Sequence, residues 1–279
     1  MNSAMNIAVI IAAAGASRRY TDSGGLRSKL DEDLGGKPVL QRSVEIFTKH
    51  DDVKFIVVAG PGDDAEFAEF KSKHADRLGL LGAAIVKGGK EHRWQTVKAA
   101  IDAIPAEAGG EKITHVAVHD AARPAASAEL IDRVFEFARH HPAVVPGFEV
   151  GDTLKRVSQS EAPARPSDPL AAILGASASE EKTIVVESTI DRAGLFAVQT
   201  PQAFTIDVIR AAYAQVDLSS TDDASLVEKL FASEGKGRKV VVAPGDPRNI
   251  KVTRAGDLPL VRAIMGLRGP EERPAHKRF

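Results

Sequence analysis

The chain has 279 residues, of which 43% are hydrophobic and 27% charged, so it can bury a sizeable hydrophobic core and is neither disordered nor fibrous. Its 37 Lys and Arg residues nearly balance 38 Asp and Glu residues, and the formal net charge of -1 excludes a global basic field that would hold nucleic acid or an anionic membrane. The sequence contains no cysteine, which excludes disulfide scaffolds, cysteine-ligated zinc, iron–sulfur clusters and cysteine nucleophiles.

An apolar run near the start, residues 7–14, is too short for a membrane-spanning helix, which needs about twenty residues. The segment also lacks the basic flank and cleavage pattern of a secretory signal. We therefore expect a cytoplasmic protein with no membrane association.

The first half of the chain alternates short β-branched runs with amphipathic stretches of helical spacing, which predicts βαβ units around a mostly parallel sheet. Because the strands are apolar on both faces, helices are expected on both sides of that sheet. The predicted strands are residues 6–12, 54–59, 83–87, 113–119 and 143–150. The predicted helices are residues 38–50, 63–74, 92–104 and 127–140, with Pro38 in a first turn and Ser127 as an N-cap.

This regularity ends after Asp152. Residues 158–182 are rich in Ala, Ser, Pro and Glu, show neither period, and are predicted to be a disordered loop. Further strands are predicted at 184–186, 195–198 and 239–243, and helices at 206–215, 222–232 and 254–265. The tail, residues 266–279, is predicted to be flexible.

The loop after the first strand, residues 12–19, is the first candidate site, because open α/β sheets bind ligands at the carboxyl ends of their strands. Its small residues would let backbone N–H groups approach a phosphate, and Arg18, Arg19, Arg27 and Lys29 could hold the phosphate charge. The alternative is a close turn with solvated arginines. The loop does not match G-x-G-x-x-G, which disfavours a dinucleotide dehydrogenase, and residues 35–38 do not form a P-loop.

A second candidate site is His-Asp-Ala-Ala-Arg-Pro at 119–124, at the end of another predicted strand. Asp120 could hold Mg²⁺ beside a triphosphate, because magnesium binds one or two carboxylates together with phosphate oxygens. The alternative is a buried turn with a satisfied histidine and an Asp–Arg pair. Gly88-Gly89-Lys90 adds a glycine turn at the same edge.

The last third of the chain adds polar clusters but no recognisable general base. Thr221 or Asp222 is most simply a helix N-cap, whereas Arg192 and Lys251 interrupt apolar or neutral segments. No Ser/His/Asp order, H-E-x-x-H motif or glycosidase-like carboxylate pair is present. A phosphate monoester is already anionic at neutral pH, so a site of this kind suits attack of a phosphate oxygen on a nucleotide α-phosphorus.

Together these motifs resemble those of the 2-C-methyl-D-erythritol 4-phosphate cytidylyltransferases of the non-mevalonate isoprenoid pathway, from about residue 7 to residue 265. The matching motifs are Ala-Ala-Gly-x-x-Arg-Arg at 13–19, Gly88-Gly89 with Arg93 and Thr96, His-Asp-Ala-Ala-Arg-Pro at 119–124, Asp-Thr-Leu-Lys-Arg at 152–156, Asp191-Arg192 with Gly194-Leu195, Gln-Thr-Pro-Gln at 199–202, Thr221-Asp222 with Ala224-Ser225, and Asn-Ile-Lys-Val-Thr at 249–253.

The resemblance implies a Rossmann-like α/β nucleotidyltransferase with a mostly parallel central sheet and a protruding β-arm, which joins CTP to 2-C-methyl-D-erythritol 4-phosphate and releases pyrophosphate, with Mg²⁺. It implies a role for several residues of this sequence. Those implied to bind the nucleotide are Ala13, Ala14, Gly15, Gly88, Thr96 and Asp120. Those implied to be catalytic are Arg19 and Lys29, at the reacting phosphorus, and Arg192 and Lys251, at the acceptor phosphate. Those implied to contact the acceptor are Asp120, Arg123, Thr153, Thr200 and Thr221, with Asp120 also beside the metal.

The resemblance also implies a homodimer of single-domain subunits, residues 1–265, that exchange their arms, about residues 151–191. Thr153 and Arg192 would then serve the neighbouring subunit. Three departures from the family pattern stand out. Extra residues after Arg19 leave Arg27 as an alternative to Lys29, an extra residue follows Gly88-Gly89, and residues 158–182 enlarge the arm. We expect this enlargement to be dispensable for catalysis.

Two alternatives fit the same motifs. A cytidylyltransferase acting on ribitol 5-phosphate would differ in few acceptor contacts. A catalytically silent nucleotide-binding protein would keep CTP affinity, but it would have no need for the cations on the acceptor side.

Overall fold

A computed structural model describes residues 5–161 and 182–267 in two compact units. Residues Glu149–Ala197 form the smaller unit, and the rest of the described chain forms the larger one. The predicted arm, residues 151–191, falls inside the smaller unit, and most of the predicted tail lies outside the described residues.

A mostly parallel sheet forms the centre of the larger unit. Its eight strands are β1 (Ile7–Ala12), β2 (Val53–Gly60), β3 (Ala83–Lys87), β6 (His115–Asp120), β7 (Ala143–Glu149), β10 (Phe196–Val198), β11 (Gln202–Thr205) and β12 (Val241–Pro244). Their order is β10-β7-β11-β6-β1-β2-β3, with β12 also paired to β7, and β11 runs antiparallel to both β6 and β7. A small hairpin, β4 (Glu107–Ala108) and β5 (Glu111–Lys112), lies outside this sheet.

Helices cover both faces of the sheet, as the apolar strands predict. Alternate residues of β1 enter different cores: Ile7, Val9 and Ile11 pack in one, Ala8 and Ile10 in the other. The helices are α1 (Arg18–Thr21), α2 (Val39–Glu45), α3 (Asp64–Leu80), α4 (Arg93–Asp102), α5 (Ala128–Ala138), α6 (Ile206–Tyr213), α7 (Asp223–Glu234) and α8 (Asp257–Ile264). The α/β prediction is therefore confirmed.

Helix ends follow local hydrogen bonding. The predicted cap Ser127 accepts from the backbone N–H of Leu130 at 3.2 Å, and Asp222 caps α7 by accepting from Ser225 at 3.0 Å. The first long helix ends at Glu45, earlier than predicted, because the N–H of Phe47 bonds to the carbonyl three residues before it and tightens the chain into turns.

The smaller unit contains a long antiparallel hairpin, β8 (Leu154–Glu161) with β9 (Lys182–Ile190), and a short strand, β10 (Phe196–Val198), at its boundary. The predicted absence of strand structure over 158–182 is therefore wrong at 158–161 and at 182. Residues 158–160 pair with the β-branched residues Val185, Ile184 and Thr183 of β9, although the β8 side is polar and shows no alternating pattern. Residues 162–181 of the predicted loop lie outside the described residues.

A buried histidine joins α3 to the loop before α2. His74, which is buried, lies 2.9 Å from Asp31 through Nε2, and the Lys73 ammonium lies 3.3 Å from the other carboxylate oxygen. The hydrogen bond from His74 lowers the pKa of Asp31; burial opposes this effect, and Lys73 reinforces it.

We expect Asp31→Asn to lower the free energy of unfolding at neutral pH by about 2 kcal/mol, the value typical of a hydrogen bond to a charged group. Because the folded-state pKa of Asp31 is lowered, the stabilisation is complete above the ordinary aspartate value and disappears as the pH falls through the folded value. Urea unfolding should show the difference between variant and wild type shrinking at acidic pH. Asp102→Asn, in an exposed pair with Lys98, is the control. A difference in unfolding free energy between variant and wild type that is the same at neutral and at acidic pH would contradict this account.

Candidate active site

A cavity of about 580 Å³ opens at the carboxyl ends of β1, β3 and β6. The register places Ala12 opposite both Ala59 of β2 and Asp120 of β6, so the ends of these strands are level. The lining residues come from the loop after β1, the turn after β3, the end of β6 and two further segments. They are Ala12 to Tyr20, Lys29, Leu30, Gly89 to Arg93, Thr96, Asp120 to Ala122, Lys251 and Thr253.

The loop after β1 supplies backbone and arginines to one side of the cavity. Ala13 donates its N–H to the Ala59 carbonyl at 2.8 Å, which ties the start of the loop to β2. Ser17 adopts a left-handed conformation, with φ 53°, immediately before α1. The small side chains before it leave the backbone open to the cavity, and Arg18 and Arg19 extend from α1 with exposed side chains. These positions can present N–H groups and positive charge to a phosphate.

The glycine turn after β3 closes another side of the cavity. A Cβ on Gly88 would lie 2.4 Å from the Gly60 carbonyl oxygen, so only glycine fits between β2 and β3 here. The next residue, Gly89, lines the cavity and donates its N–H to Thr96 Oγ1 at 3.1 Å. Thr96 lines the cavity, whereas Gly88 packs behind the lining.

Asp120 lies at the centre of the site, nearly buried and surrounded by cations. Its Oδ2 is 2.8 Å from Lys251 Nζ and 3.5 Å from Arg123 Nε, and its Oδ1 is 3.8 Å from Arg93 Nη2. Burial alone would raise the pKa of Asp120, but Lys251 and then Arg93 outweigh it and hold the pKa well below its usual range. Asp120 is therefore a fixed negative charge, and it orients the lysine and arginines around it.

Lys29 is the loop cation that reaches the cavity. Its ammonium donates to the Val252 carbonyl at 3.1 Å, which ties the loop before α2 to the segment that carries Lys251. Burial, followed by the nearby Lys251, lowers the pKa of Lys29. Arg27, the alternative left by the sequence, is exposed and is not among the described residues that line the cavity.

A chain of hydrogen bonds behind the cavity fixes the backbone of Asp120. The Asp120 N–H donates to Thr200 Oγ1 at 3.1 Å, and that hydroxyl lies 3.2 Å from His119 Nδ1. His119 Nε2 lies 3.0 Å from the Arg123 carbonyl oxygen, which accepts, so Nε2 carries the proton and Nδ1 accepts from the Thr200 hydroxyl. His119 is completely buried, which lowers its pKa to about 4 and keeps it neutral.

We expect Thr200→Val to lower the free energy of unfolding by about 2 kcal/mol, because it leaves the Asp120 N–H and His119 Nδ1 without partners. Thr200→Ser, which keeps the hydroxyl, should remain near wild type. Urea unfolding of both variants provides the measurement. If Thr200→Val instead raised only the KM of an acceptor substrate and left stability unchanged, Thr200 would act by touching that substrate.

Other predicted site residues lie outside the lining. Arg123 is directed inward, where Nη1 donates to the Asn249 carbonyl at 2.6 Å. Thr221 is exposed beside the cap of α7. Thr153 and Arg192 are exposed residues of the smaller unit, next to the start of β8 and the end of β9.

Sequence reasoning gave no role to several lining residues in the glycine turn, namely Lys90, Glu91, His92 and Arg93. The sequence feature that could have identified them is their position directly after a strand that ends at the ligand-binding edge of the sheet. Among the described residues, no group of three or more His, Asp or Glu side chains is arranged to hold a metal ion. Over the same part of the chain, no helix combines the length and apolar character needed to cross a membrane.

Comparison with known proteins gives consistent matches along the chain. The family model described as 2-C-methyl-D-erythritol 4-phosphate cytidylyltransferase matches residues 7–168 and 170–267. A protein of that name from Streptomyces avermitilis is 36% identical over 94% of this chain and 92% of its own length. Another from Geobacillus kaustophilus is 30% identical over 96% of this chain and 100% of its own.

Solved structures show the same relationship. The crystal structure of the Thermus thermophilus enzyme of that name has a TM-score of 0.63 and 27% identity, and the match covers 94% of this chain and 100% of that one. A structure titled 4-diphosphocytidyl-2C-methyl-D-erythritol synthase has a TM-score of 0.64 and 28% identity, over 94% and 99% of the two chains. The motifs, the fold and the relatives agree, and the chain belongs to the 2-C-methyl-D-erythritol 4-phosphate cytidylyltransferase family.

Proposed function

We propose that this chain transfers a cytidylyl group from CTP to 2-C-methyl-D-erythritol 4-phosphate, giving 4-diphosphocytidyl-2-C-methyl-D-erythritol and pyrophosphate. The observation that carries the proposal is one cavity with an open small-residue loop on one side and a carboxylate set among cations on the other. The family name and the names of the relatives support this acceptor over ribitol 5-phosphate.

The reaction forms one bond and breaks one bond at the α-phosphorus. An oxygen of the acceptor phosphate bonds to that phosphorus, and the bond from the α-phosphorus to the bridging oxygen of the β-phosphate breaks, so that pyrophosphate leaves with the electron pair. The acceptor phosphate is already anionic, so no general base is required. His119, buried and hydrogen-bonded on both ring nitrogens, is not available as one.

Positioning and charge stabilisation then account for catalysis. Lys29 and Arg19 line the cavity and would stabilise negative charge that builds up on the α-phosphate in the transition state. Lys251, held by Asp120, would orient the acceptor phosphate. The Lys29 ammonium donates to the carbonyl of Val252, which is the residue next to Lys251. This contact helps to set the spacing between Lys29 and Lys251.

Mg²⁺ is part of this proposal, with Asp120 as its protein ligand. The closest cation contact of Asp120, at 2.8 Å, is on Oδ2, whereas Oδ1 has Arg93 at 3.8 Å, so Oδ1 is the less engaged oxygen. One carboxylate oxygen suits magnesium when substrate phosphates complete the coordination. The ion would add positive charge beside the triphosphate.

We also propose a cytoplasmic homodimer formed through the smaller unit, with Thr153 and Arg192 serving the neighbouring subunit. Large apolar side chains are exposed on the hairpin: Val157 is 49% exposed, Ile184 67% and Val186 61%. Apolar area of this kind favours burial against another surface. Light scattering should give twice the chain mass; a fully active monomer would contradict this part.

The test is pyrophosphate release by the purified protein with CTP and Mg²⁺. Three reactions are compared: methylerythritol 4-phosphate, ribitol 5-phosphate and no acceptor. We expect release with the first alone. Release with ribitol 5-phosphate would reassign the acceptor, and CTP binding without release in any reaction would support the silent binder.

A further inference from the structure

A buried carboxylate in the first turn of α7 lies behind the residues that line the cavity. Asp223 is completely buried, and each of its oxygens has one partner. Its Oδ2 accepts from Arg93 Nη2 at 2.7 Å, and its Oδ1 accepts from the Tyr213 hydroxyl. Burial and the adjacent Asp223 raise the pKa of Tyr213, so that the hydroxyl remains a donor.

The surrounding contacts hold Asp223 in place. Gln202 of β11 donates to Asp222 at 2.8 Å and accepts from the Ala224 N–H at 3.1 Å, which pins the start of α7 to the central sheet. An ionised carboxylate without exposure to water is costly unless a cation and hydrogen bonds compensate it. The hydrogen bond with Asp223 therefore also restrains the Arg93 guanidinium.

Arg93 connects this buried group to the cavity. It is the first residue of α4 and lines the cavity, and its Nη2 approaches Asp120 Oδ1 at 3.8 Å. Lys251 contacts the other oxygen of Asp120, so the two cations are on different oxygens of one carboxylate. Arg93 also follows the glycine turn and precedes Thr96, the part of the lining that the resemblance assigns to the nucleotide.

We propose that Arg93 binds a phosphate oxygen of CTP and that Asp223 is the positioning residue that holds its guanidinium for this contact; this inference rests on the proposed function. A guanidinium has five N–H donors, and the contact with Asp223 leaves donors for an anionic ligand. Arginine suits phosphate oxygens because its donors form a planar fork. Tyr213 supports the pair by satisfying the second oxygen of Asp223.

The test is chemical rescue with guanidinium chloride at millimolar concentration, far below the denaturing range. We expect Arg93→Ala to raise the KM for CTP by about 10- to 100-fold, the loss expected for one charge-assisted hydrogen bond, with little change in the KM for the acceptor. Guanidinium should restore most of that loss in Arg93→Ala and none in the double variant Arg93→Ala/Asp223→Asn. Sodium chloride at equal concentration controls for ionic strength.

Two further measurements separate positioning from folding. Thermal melts of each variant show whether it is folded, and Asp223→Asn, which retains the side-chain volume, should melt cooperatively while weakening CTP binding. Lys98→Ala, on the exposed side of α4, is the matched control and should change neither CTP affinity nor the response to guanidinium. Calorimetry measures the CTP affinity of each variant without turnover. An inactive wild-type enzyme would overturn the proposed function, whereas the CTP affinities of the variants would still decide this inference.

Equal rescue of the single and double variants would overturn the role of Asp223. A rise in the KM of the acceptor rather than of CTP would overturn the assignment of Arg93 to the nucleotide. Unchanged CTP affinity in Arg93→Ala would overturn both.

Discussion

Lys29→Ala should lower kcat by about 100- to 1000-fold with little change in either KM, because the ammonium acts where charge develops in the transition state. The side chain lines the cavity and is fixed by the Val252 carbonyl, so it is oriented before substrates bind. Steady-state pyrophosphate release at varied CTP and varied acceptor gives the three constants.

Arg27→Ala is the matched control, since this residue lies two positions earlier in the same loop and is exposed. It should keep a kcat near that of the wild type. If Lys29→Ala were active and Arg27→Ala inactive, the cation of the loop would be Arg27, and the correspondence with the family in this loop would be shifted by two residues.

Asp120→Asn should lower kcat/KM by about 1000-fold or more, because one neutral side chain would then face Lys251, Arg123 and Arg93. The substitution keeps the volume and leaves the backbone bond to Thr200 available. Loss of the carboxylate should also weaken the dependence of rate on Mg²⁺. Kinetics over a magnesium titration measure both effects.

Asp102→Asn, an exposed acid on α4, is the control and should be fully active. Thermal melting separates catalysis from folding. An Asp120→Asn enzyme with near wild-type kcat/KM and an unchanged magnesium dependence would show that the carboxylate neither organises the cations nor holds the metal.

Much of the site could be predicted from sequence because its segments follow predicted strands. The loop after β1 and the end of β6 meet since both strands are parallel and in register, and apolar runs with β-branched residues identify such strands well. Lys29 and Lys251 were found through short motifs. Their connection through the Val252 carbonyl was not, because a contact over 223 residues leaves no local pattern.

The features that sequence reasoning missed depend on tertiary structure. The antiparallel strand β11 has four residues and no period of its own, yet it lies between β6 and β7 and carries Gln202. Strand β8 was missed because cross-strand pairing with β9 outweighs a polar composition. The pairing of Asp223 with Arg93 could not be predicted from the sequence. An acidic residue at a helix start is ordinarily explained as an N-cap, and the neighbouring Asp222 has that role.

The central claim is that the acceptor phosphate attacks the α-phosphorus of CTP. Mass spectrometry of a reaction with methylerythritol 4-phosphate labelled with ¹⁸O in its phosphate tests it most directly. We predict that the full label appears in 4-diphosphocytidyl-2-C-methyl-D-erythritol and that the released pyrophosphate carries none. Label in the pyrophosphate, or no cytidylylated product from this acceptor, would contradict the account.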